Sequence, residues 1–299
     1  MVLAGGSLEW FENQGGMPPT WKRWSIAQTS GGTEVELADV NGDGNLDIVI
    51  GAGSKIEWYQ NDGANPPSWI ARVLDSTVVT VDALSTGDLD LDGDLDLLAG
   101  DGTGLYWYDN NGTNPPLFTK RNIDLSLLNV ESVAAADINN DGKIDVLGVG
   151  GDTTILSWYE NVGLVVPEFA KRTIDTGPLS LPVSVGVGDL DRDGDPDLVL
   201  GTNTEVHWYR NDGGSPHSWT KATLASGTVN SGDHVFVVNL EDDLDGDDDL
   251  DILVAEASSV PWWENLLPHS DIRFQLRTSE DATNWSEWVG PGGRTTSSY

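Results

Sequence analysis

Carboxylates recur at fixed spacing in this chain and could surround a cation. Five nine-residue windows read DVNGDGNLD, DLDLDGDLD, DINNDGKID, DLDRDGDPD and DLDGDDDLD, beginning at Asp39, Asp88, Asp137, Asp189 and Asp243. Each places oxygen side chains at positions 1, 3, 5 and 9. Such a cluster repels itself, so an ion, a basic partner or solvent must neutralise it. The spacing favours a hard cation such as Ca²⁺, which takes about six to eight oxygen ligands.

The predicted ligands are the side chains at those four positions of every window. They are Asp39, Asn41, Asp43, Asp47; Asp88, Asp90, Asp92, Asp96; Asp137, Asn139, Asp141, Asp145; Asp189, Asp191, Asp193, Asp197; and Asp243, Asp245, Asp247, Asp251. Backbone carbonyls at position 7 would add Asn45, Asp94, Lys143, Asp195 and Asp249. Asp248 replaces the glycine that the other windows have at position 6, where a sharp turn needs a positive φ. We therefore expect four or five Ca²⁺ per chain.

The distribution of charge supports ion binding. The net charge is -34, and the five windows contain 22 of the 49 acidic residues but only two basic ones, Lys143 and Arg192. The acidity is concentrated in loops, and it argues against nucleic acid or anionic membranes as partners. No apolar run approaches the ~18 residues of a membrane span, which predicts no membrane insertion. The absence of cysteine excludes disulfides and thiolate chemistry.

The residues around the windows distinguish these loops from EF-hands. An EF-hand has a bidentate Glu at position 12 and flanking helices. Here position 12 of the first window is Ile50, and the flanking segments "TEVELA" and "LDIVIGAG" have the composition of strands. Asp-Gly turns alone could explain one window. Five windows with the same oxygen positions favour metal binding.

The elements that carry the loops repeat with a period near fifty residues. The windows start 49, 49, 52 and 54 residues apart, and each leads through an apolar strand to "EWYQND", "YWYDNN", "SWYENV", "HWYRND" or "PWWENL". Four strands per repeat predict an all-β fold, a β-propeller of four-stranded blades with six blades, or seven as the alternative. Residues 1–268 form the propeller, and the first blade lacks its inner strand. The tail, residues 269–299, either closes the ring or begins another β module.

The acidic loop followed by "IEWYQNDG" resembles the FG-GAP/VCBS repeat family, the integrin-α-like β-propellers, over roughly residues 1 to 268. The resemblance implies a Ca²⁺ in each loop, bound by the side chains at positions 1, 3, 5 and 9. Members of this family act as lectins or adhesion domains, and some related propellers are lyases or dehydratases. The family and the millimolar calcium outside cells predict an extracellular or cell-surface location. The N-terminal segment lacks a secretion signal, so either the protein is not exported or its natural N-terminus lies elsewhere.

These features predict a monomeric, non-catalytic recognition domain that binds a glycan or a protein. The repeated Trp residues are expected to pack between blades, and the variable turns such as "GANPPS" and "GGSPHS" to be exposed and to contact the ligand. No catalytic residue is assigned. The four histidines are scattered, and His207 is expected at a variable surface position. A carbohydrate-active enzyme and a structural spacer are the alternatives.

Overall fold

A computed structural model defines the fold. It describes residues 2–4, 6–16, 18–29, 31–150, 156–164, 166–177, 179–226, 234–238, 250–255, 262–265, 274–277, 289–290 and 294–295. These residues form strands and turns and contain no helix. Accordingly, no helix in the described part of the chain could span a membrane. The chain divides into two compact units, residues 1–135 and 136–299.

Unit 1 contains a three-stranded sheet followed by two four-stranded sheets. All three are antiparallel, with strand orders β1-β2-β3, β4-β5-β6-β7 and β8-β9-β10-β11. The strands are β1 (Val2–Ala4), β2 (Ser7–Asn13), β3 (Trp21–Gln28), β4 (Gly32–Ala38), β5 (Asp47–Ala52), β6 (Ile56–Asn61), β7 (Trp69–Asp75), β8 (Val81–Gly87), β9 (Asp96–Asp101), β10 (Gly104–Asn110), β11 (Phe118–Asp124) and, at the end of the unit, β12 (Val130–Ala136).

Unit 2 repeats the pattern. Strands β13, β14 and β15 pair in that order, β16 to β19 form a four-stranded sheet, and β20 to β25 pair consecutively in a larger one. The strands are β13 (Asp145–Gly150), β14 (Leu156–Asn161), β15 (Phe169–Asp175), β16 (Pro182–Gly188), β17 (Asp197–Thr202), β18 (Glu205–Asn211), β19 (Trp219–Ser226), β20 (His234–Val238), β21 (Asp251–Ala255), β22 (Trp262–Asn265), β23 (Phe274–Arg277), β24 (Val289–Gly290) and β25 (Arg294–Thr295).

The strand that follows each of the first four acidic windows is buried along its whole length. Strands β5, β9, β13 and β17 have only buried residues, whereas the outer strands β7 and β11 contain both exposed and partly buried residues. A strand covered on both faces has no polar face, which explains the continuous apolar runs "DIVIGA" and "DLLAGD". The repeated four-stranded antiparallel sheets confirm the predicted fold class.

Adjacent sheets within unit 1 pack through a shared apolar core. Val49 and Trp58 of one sheet and Val81 and Leu97 of the next belong to the same buried cluster. Trp58, Trp107 and Trp158 are at most 3% exposed, which confirms the packing role predicted for the repeated Trp. These rings supply much of the apolar area that stabilises neighbouring sheets.

Glycine allows this close approach. A Cβ on Gly51 would lie 2.8 Å from Cγ1 of Val81, and one on Gly100 would lie 2.3 Å from Cγ1 of Val130. Both distances are shorter than carbon atoms tolerate, so only glycine fits the phrases "VIGAG" and "LLAG" at these points.

A partly buried carboxylate joins neighbouring sheets in each unit. In unit 1, the hydroxyl of Tyr108 donates to Oδ2 of Asp75 at 2.7 Å, and Nζ of Lys120 donates to the same oxygen at 3.2 Å. In unit 2, Tyr209 and Lys221 donate to Asp175 at 2.8 and 3.0 Å. Burial raises the pKa of Asp75, but hydrogen bonds from Thr77, Tyr108 and Lys120 outweigh it and hold this pKa at about 2.

The C-terminal tail contributes strands to the last sheet of unit 2. Strand β23 pairs antiparallel with β22 through Phe274 opposite Asn265, and β24 and β25 extend the sheet. The division at residue 268 and the closure of a ring by the tail stay predictions.

Candidate metal centre

Four acidic loops lie within the described residues, each between the first and second strand of its repeat. We call residues 39–47, 88–96, 137–145 and 189–197 acidic loops 1 to 4, and residues 243–251 acidic loop 5. Each of loops 1 to 4 ends at the Asp that begins the next strand. Of loop 5, only Leu250 and Asp251 are described; Asp243, Asp245, Asp247 and Asp249 lie outside the described residues.

The Asp at position 1 organises the turn. In loop 1 the backbone N–H groups of Asp43 and Gly44 donate to the two carboxylate oxygens of Asp39, at 2.9 and 2.7 Å. The same pair of bonds forms at Asp88, Asp137 and Asp189. Each loop is therefore closed around its first carboxylate.

Two residues in each of loops 1 to 4 have positive φ. Position 6 is the expected glycine, with φ of 87°, 98°, 83° and 96° in loops 1 to 4. Position 4 also has positive φ, and there the sequence has Gly42, Leu91, Asn140 and Arg192. A left-handed Leu or Arg is unfavourable and is kept only when its surroundings fix it. The prediction included position 6 and missed position 4.

The position 5 carboxylate is exposed and accepts a hydrogen bond from the backbone of its own loop; Asp43 also accepts from the side chains of Asn41 and Asn45. The backbone N–H at position 7 donates to Oδ1 of Asp43, Asp92, Asp141 and Asp193 at 2.9 to 3.0 Å. Each carboxylate oxygen has two lone pairs, so these bonds leave acceptor capacity for a cation. The carbonyl ligands at position 7 stay predictions.

The position 3 side chains are half-buried, and one of them is incompletely satisfied. Oδ1 of Asn41, Asn139 and Asp191 accepts the position 5 N–H at 3.0 to 3.2 Å. Oδ1 of Asp90, in contrast, is buried and accepts no hydrogen bond. Burial and the neighbouring charge of Asp92 raise the pKa of Asp90. A buried carboxylate oxygen without a donor is unfavourable unless a cation faces it.

The Asp at position 9 is the most buried carboxylate in each of loops 1 to 4 and connects the loop to the sheet. Asp47, Asp96, Asp145 and Asp197 are all 0% exposed. One oxygen of each accepts the backbone N–H of the Asn that ends the "WYxN" signature, at 2.7 to 2.8 Å; these are Asn61, Asn110, Asn161 and Asn211. The indole Nε1 of Trp58 donates to the second oxygen of Asp47 at 2.9 Å.

Burial has the largest effect on the pKa of the position 9 Asp. It raises the pKa of Asp96, Asp145 and Asp197 to about 7, and it raises that of Asp47 as well. Hydrogen bonds from the asparagine N–H groups act in the opposite direction, and nearby loop carboxylates add to the rise. A nearby cation would favour the charged form of all four groups.

The same asparagines also fix the loops through their side chains. Nδ2 of Asn110 donates to the carbonyl of Leu95 at 2.9 Å and to that of Val40 at 3.1 Å, so it joins loops 1 and 2. Nδ2 of Asn211 joins loop 4 to the carbonyl of Ile138 in loop 3 at 3.0 Å. Sequence reasoning did not single out these asparagines, although each stands three residues after the signature Trp.

Two loops bring three carboxylates to one point. In loop 2, one ligand oxygen each of Asp88, Asp90 and Asp96 lie within 4.8 Å of one another. In loop 4, the same holds for Asp189, Asp191 and Asp193. The donor set consists of oxygens only, which suits Ca²⁺ or another hard cation.

In acidic loop 3 a lysine of the loop contacts one of the predicted ligands. Nζ of Lys143 donates to Oδ2 of Asp141 at 2.8 Å and to the carbonyl of Asn161 at 2.9 Å. The bond to Asp141 raises the pKa of Lys143. The ammonium group therefore competes with a metal ion for one of the predicted ligands.

The environment of His207 corrects one expectation. Its side chain is 3% exposed, with Nδ1 3.1 Å from the hydroxyl of Thr223 and Nε2 3.3 Å from Glu205. Burial, followed by the charge of Lys221, lowers the pKa of His207. The surface position predicted for His207 is wrong: β18 is paired on both edges, with Leu200 of β17 and Thr223 of β19 opposite His207, and the side chain is buried.

Most residues of the turns that were expected to be exposed are exposed. Residues 63–66 and 112–115 are exposed, while Pro116 is buried. In "GGSPHS", His217 is half-buried.

Comparison with known proteins identifies the repeat and the fold. The FG-GAP-like repeat matches residues 39–99, 88–148, 137–200 and 189–254, and each match begins at the first Asp of an acidic loop. No curated protein matches the chain.

Several solved structures share the fold at low sequence identity. One is a lectin of Agrocybe aegerita that recognises non-reducing terminal N-acetylglucosamine: it is 18% identical, with a TM-score of 0.54, and the match covers 80% of this chain and 63% of that one. This chain thus spans less than two thirds of the lectin. The Dos1 propeller is 11% identical with a TM-score of 0.51, covering 89% and 72% of the two chains. BBS1N, solved in complex with ARL6DN, is 15% identical with a TM-score of 0.50, covering 87% and 82%. The strand pattern, these folds and the four repeat matches together show that the chain is a β-propeller and belongs to the FG-GAP repeat family.

Proposed function

We propose that this chain is a calcium-stabilised β-propeller that recognises other molecules outside the cell. The observation that carries the metal assignment is the cluster of Asp88, Asp90 and Asp96, with ligand oxygens within 4.8 Å of one another and Oδ1 of Asp90 buried without a hydrogen bond. Three carboxylates at this separation are unfavourable without a cation between them. Calcium would supply the missing partner and neutralise the repulsion.

The loop geometry suits Ca²⁺ in particular. Positions 1, 3, 5 and 9 offer four oxygen side chains, and the position 7 carbonyl would offer a fifth ligand. Calcium accepts such mixed oxygen sets with flexible geometry, whereas Mg²⁺ demands a near-ideal octahedron and retains several waters. The intra-loop hydrogen bonds to Asp39 and its equivalents hold the loop closed before an ion arrives. The protein's own residues thus arrange the ligands, and the ion stabilises that arrangement.

The extracellular recognition role rests on three supports. Calcium modules that work outside cells have dissociation constants of about 10⁻⁴–10⁻³ M, a range that partly exposed loops without a bidentate Glu can reach. The lectin from Agrocybe aegerita shares the fold and recognises a sugar. Each repeat also presents an exposed turn between its third and fourth strands, which offers variable contacts on a rigid scaffold. The binding partner is a glycan or a protein.

A titration with a matched pair of variants tests the metal assignment. Calcium is added to chelated protein in a calorimeter, and melting curves are recorded with and without calcium. Wild type should bind four or five ions and melt higher with calcium, because a ligand at 100 times its Kd stabilises the folded state by about 2.7 kcal/mol per site.

The matched variants are Asp90→Ala and Asp94→Ala. They remove the same charge from loop 2, but only Asp90 is a predicted side-chain ligand. Asp90→Ala should lose one ion, and Asp94→Ala should keep the full number. Equal stoichiometry in the two variants, or no calcium binding by wild type, would overturn the assignment.

A further inference from the structure

A cavity in unit 2 has the composition of a ligand site. Its volume is about 780 Å³, and it lies between the strand pair β14–β15 and the turn that joins β18 to β19. Its walls include Trp158, Glu160, Arg172, His217 and Trp219. Small-molecule sites have volumes of roughly 300–1,000 Å³ and combine aromatic side chains with a few polar groups. The cavity is large enough for one or two sugar rings.

Aromatic rings form one side of the cavity. Trp158 is buried, and the His217 ring stands edge-on to it, with centroids 5.6 Å apart and an interplanar angle of 74°. Nδ1 of His217 lies 3.3 Å from Oδ1 of Asn211, which holds the imidazole in place. Trp219, at the start of β19, is partly exposed. The Trp219 indole lines the same cavity and provides a flat apolar surface, against which the C–H face of a pyranose can pack.

A guanidinium–carboxylate pair also lines the cavity. Nε of Arg172 donates to Oε2 of Glu160 at 2.5 Å, and Nδ2 of Asn139 lies 3.4 Å from the other oxygen. The Arg172 side chain remains 51% exposed and that of Glu160 23%. A guanidinium has five N–H donors, so donors remain for a ligand beside an accepting carboxylate. Sugar hydroxyls both donate and accept, and two adjacent hydroxyls can therefore bond to the pair simultaneously.

The charged side chains that line the cavity favour a neutral ligand over an ionic one. Asp141 and Glu160 are balanced by Lys171 and Arg172. The chain as a whole has a net charge of -34, which repels anions at long range. A neutral ligand with many hydroxyls suits this lining better than an acidic sugar or a charged peptide.

We propose that this cavity binds neutral carbohydrate, with a pyranose ring packed against Trp219 and His217 and its adjacent hydroxyls bonded to Arg172 and Glu160. The inference rests on the proposed recognition function and assigns it a site and a ligand class. Asn139 and Asp141 of acidic loop 3 also line the cavity, so the metal loop and the sugar site share a wall.

The test uses the full chain, with calcium, and a panel of methyl glycosides. The neutral probes are the glycosides of glucose, galactose, mannose, N-acetylglucosamine and N-acetylgalactosamine, and sialic acid and glucuronic acid are the anionic probes. Saturation-transfer NMR identifies the sugars that bind, and calorimetry gives their Kd. At least one neutral glycoside should bind, and both anionic probes should bind more weakly.

Two variants and two matched controls locate the binding. Trp219→Ala and Arg172→Ala should each weaken binding at least about tenfold, which corresponds to about 1.4 kcal/mol. Trp21 begins the outer strand β3 and is 57% exposed, and Arg121 pairs with Asp109 as Arg172 pairs with Glu160. Trp21→Ala and Arg121→Ala should leave Kd unchanged, since these residues lie outside the cavity.

Several outcomes would overturn the proposal. They are binding of no panel sugar, a preference for the anionic probes, or equal effects of the cavity and control variants. A calcium titration of wild type and Trp219→Ala keeps this failure distinct from failure of the metal assignment. Normal calcium stoichiometry without sugar binding would refute only the proposed sugar site. Sugar binding in the cavity without any calcium binding would refute only the metal assignment.

Discussion

A partly buried carboxylate in unit 1, Glu34, gives a quantitative test of the electrostatics. Glu34 on β4 is partly buried, and burial, followed by the charges of Asp82 and Glu36, raises its pKa from 4.5 to about 7. A tenfold change in proton affinity corresponds to about 1.4 kcal/mol. Ionised Glu34 therefore costs the folded state about 3 kcal/mol at pH values above 7. Glu34→Gln removes this charge and keeps the shape of the side chain.

The sign of the pH dependence follows from the direction of the shift. A carboxyl whose pKa is raised on folding binds more protons in the folded state than in the unfolded state. Its unfavourable contribution is complete above about pH 7 and disappears as the pH falls through 7 towards 4.5. Glu34→Gln should therefore be more stable than wild type by up to about 3 kcal/mol at pH 8, and the difference should vanish near pH 4.5.

Urea denaturation at pH 8, 6 and 4.5, at constant calcium, measures this difference. Glu36→Gln is the matched control: it lies two residues away on the same strand, but the hydroxyl of Thr86 donates to Glu36 at 3.1 Å, which limits the rise in its pKa. Its gain at pH 8 should be smaller. The reasoning is refuted if Glu34→Gln is no more stable than wild type at pH 8, or if its gain is the same at all three pH values.

Three further predictions concern packing, the metal loops and the joint between sheets. Gly100→Ala should destabilise unit 1 by about 1–3 kcal/mol, because the new Cβ would overlap Val130; an unchanged urea midpoint would contradict the close approach. Lys143→Ala should lower the calcium Kd of one site, acidic loop 3, in calorimetry, because it removes the ammonium group that competes with the ion for Asp141. Unchanged affinities at all sites would show that this contact does not oppose calcium binding. Tyr108→Phe should cost about 1.5–3 kcal/mol at pH 7, because it removes a hydrogen bond to the charged Asp75. The loss of unfolding free energy should decline as the pH falls from about 4 to 2 and Asp75 becomes protonated. A constant loss across this range would show that the hydrogen bond does not depend on an ionised Asp75.

The sequence predicted the parts of the fold that depend on local pattern. The acidic windows, the buried strand after each window and the repeated Trp are features of short segments, and all appear where expected in the described repeats. Periodicity near fifty residues then fixed the architecture, because identical units must pack against each other.

Features that depend on contacts between distant residues could not be predicted. His207 is buried where β18 pairs with β17 on one edge and β19 on the other, with Leu200 and Thr223 opposite it. The bond from Asn110 to Val40 spans 70 positions and is invisible to spacing within one repeat. The cavity combines the turn containing His217 with residues about 45–80 positions earlier, and the sequence marked that turn only as variable.

The position 9 Asp connects the metal loop with the rest of the blade. A strand buried on both faces would be more stable with an aliphatic residue at its first position, since the buried carboxylate of Asp96 must give up its hydration. The carboxylate of Asp96 accepts a hydrogen bond from the backbone N–H of Asn110, and the side chain of the same Asn donates to the carbonyls of Leu95 and Val40. Each loop is thereby held by the third strand of its own sheet before an ion binds. A metal that enters such a preformed loop need not order it, so more of its binding free energy appears as stability of the folded blade.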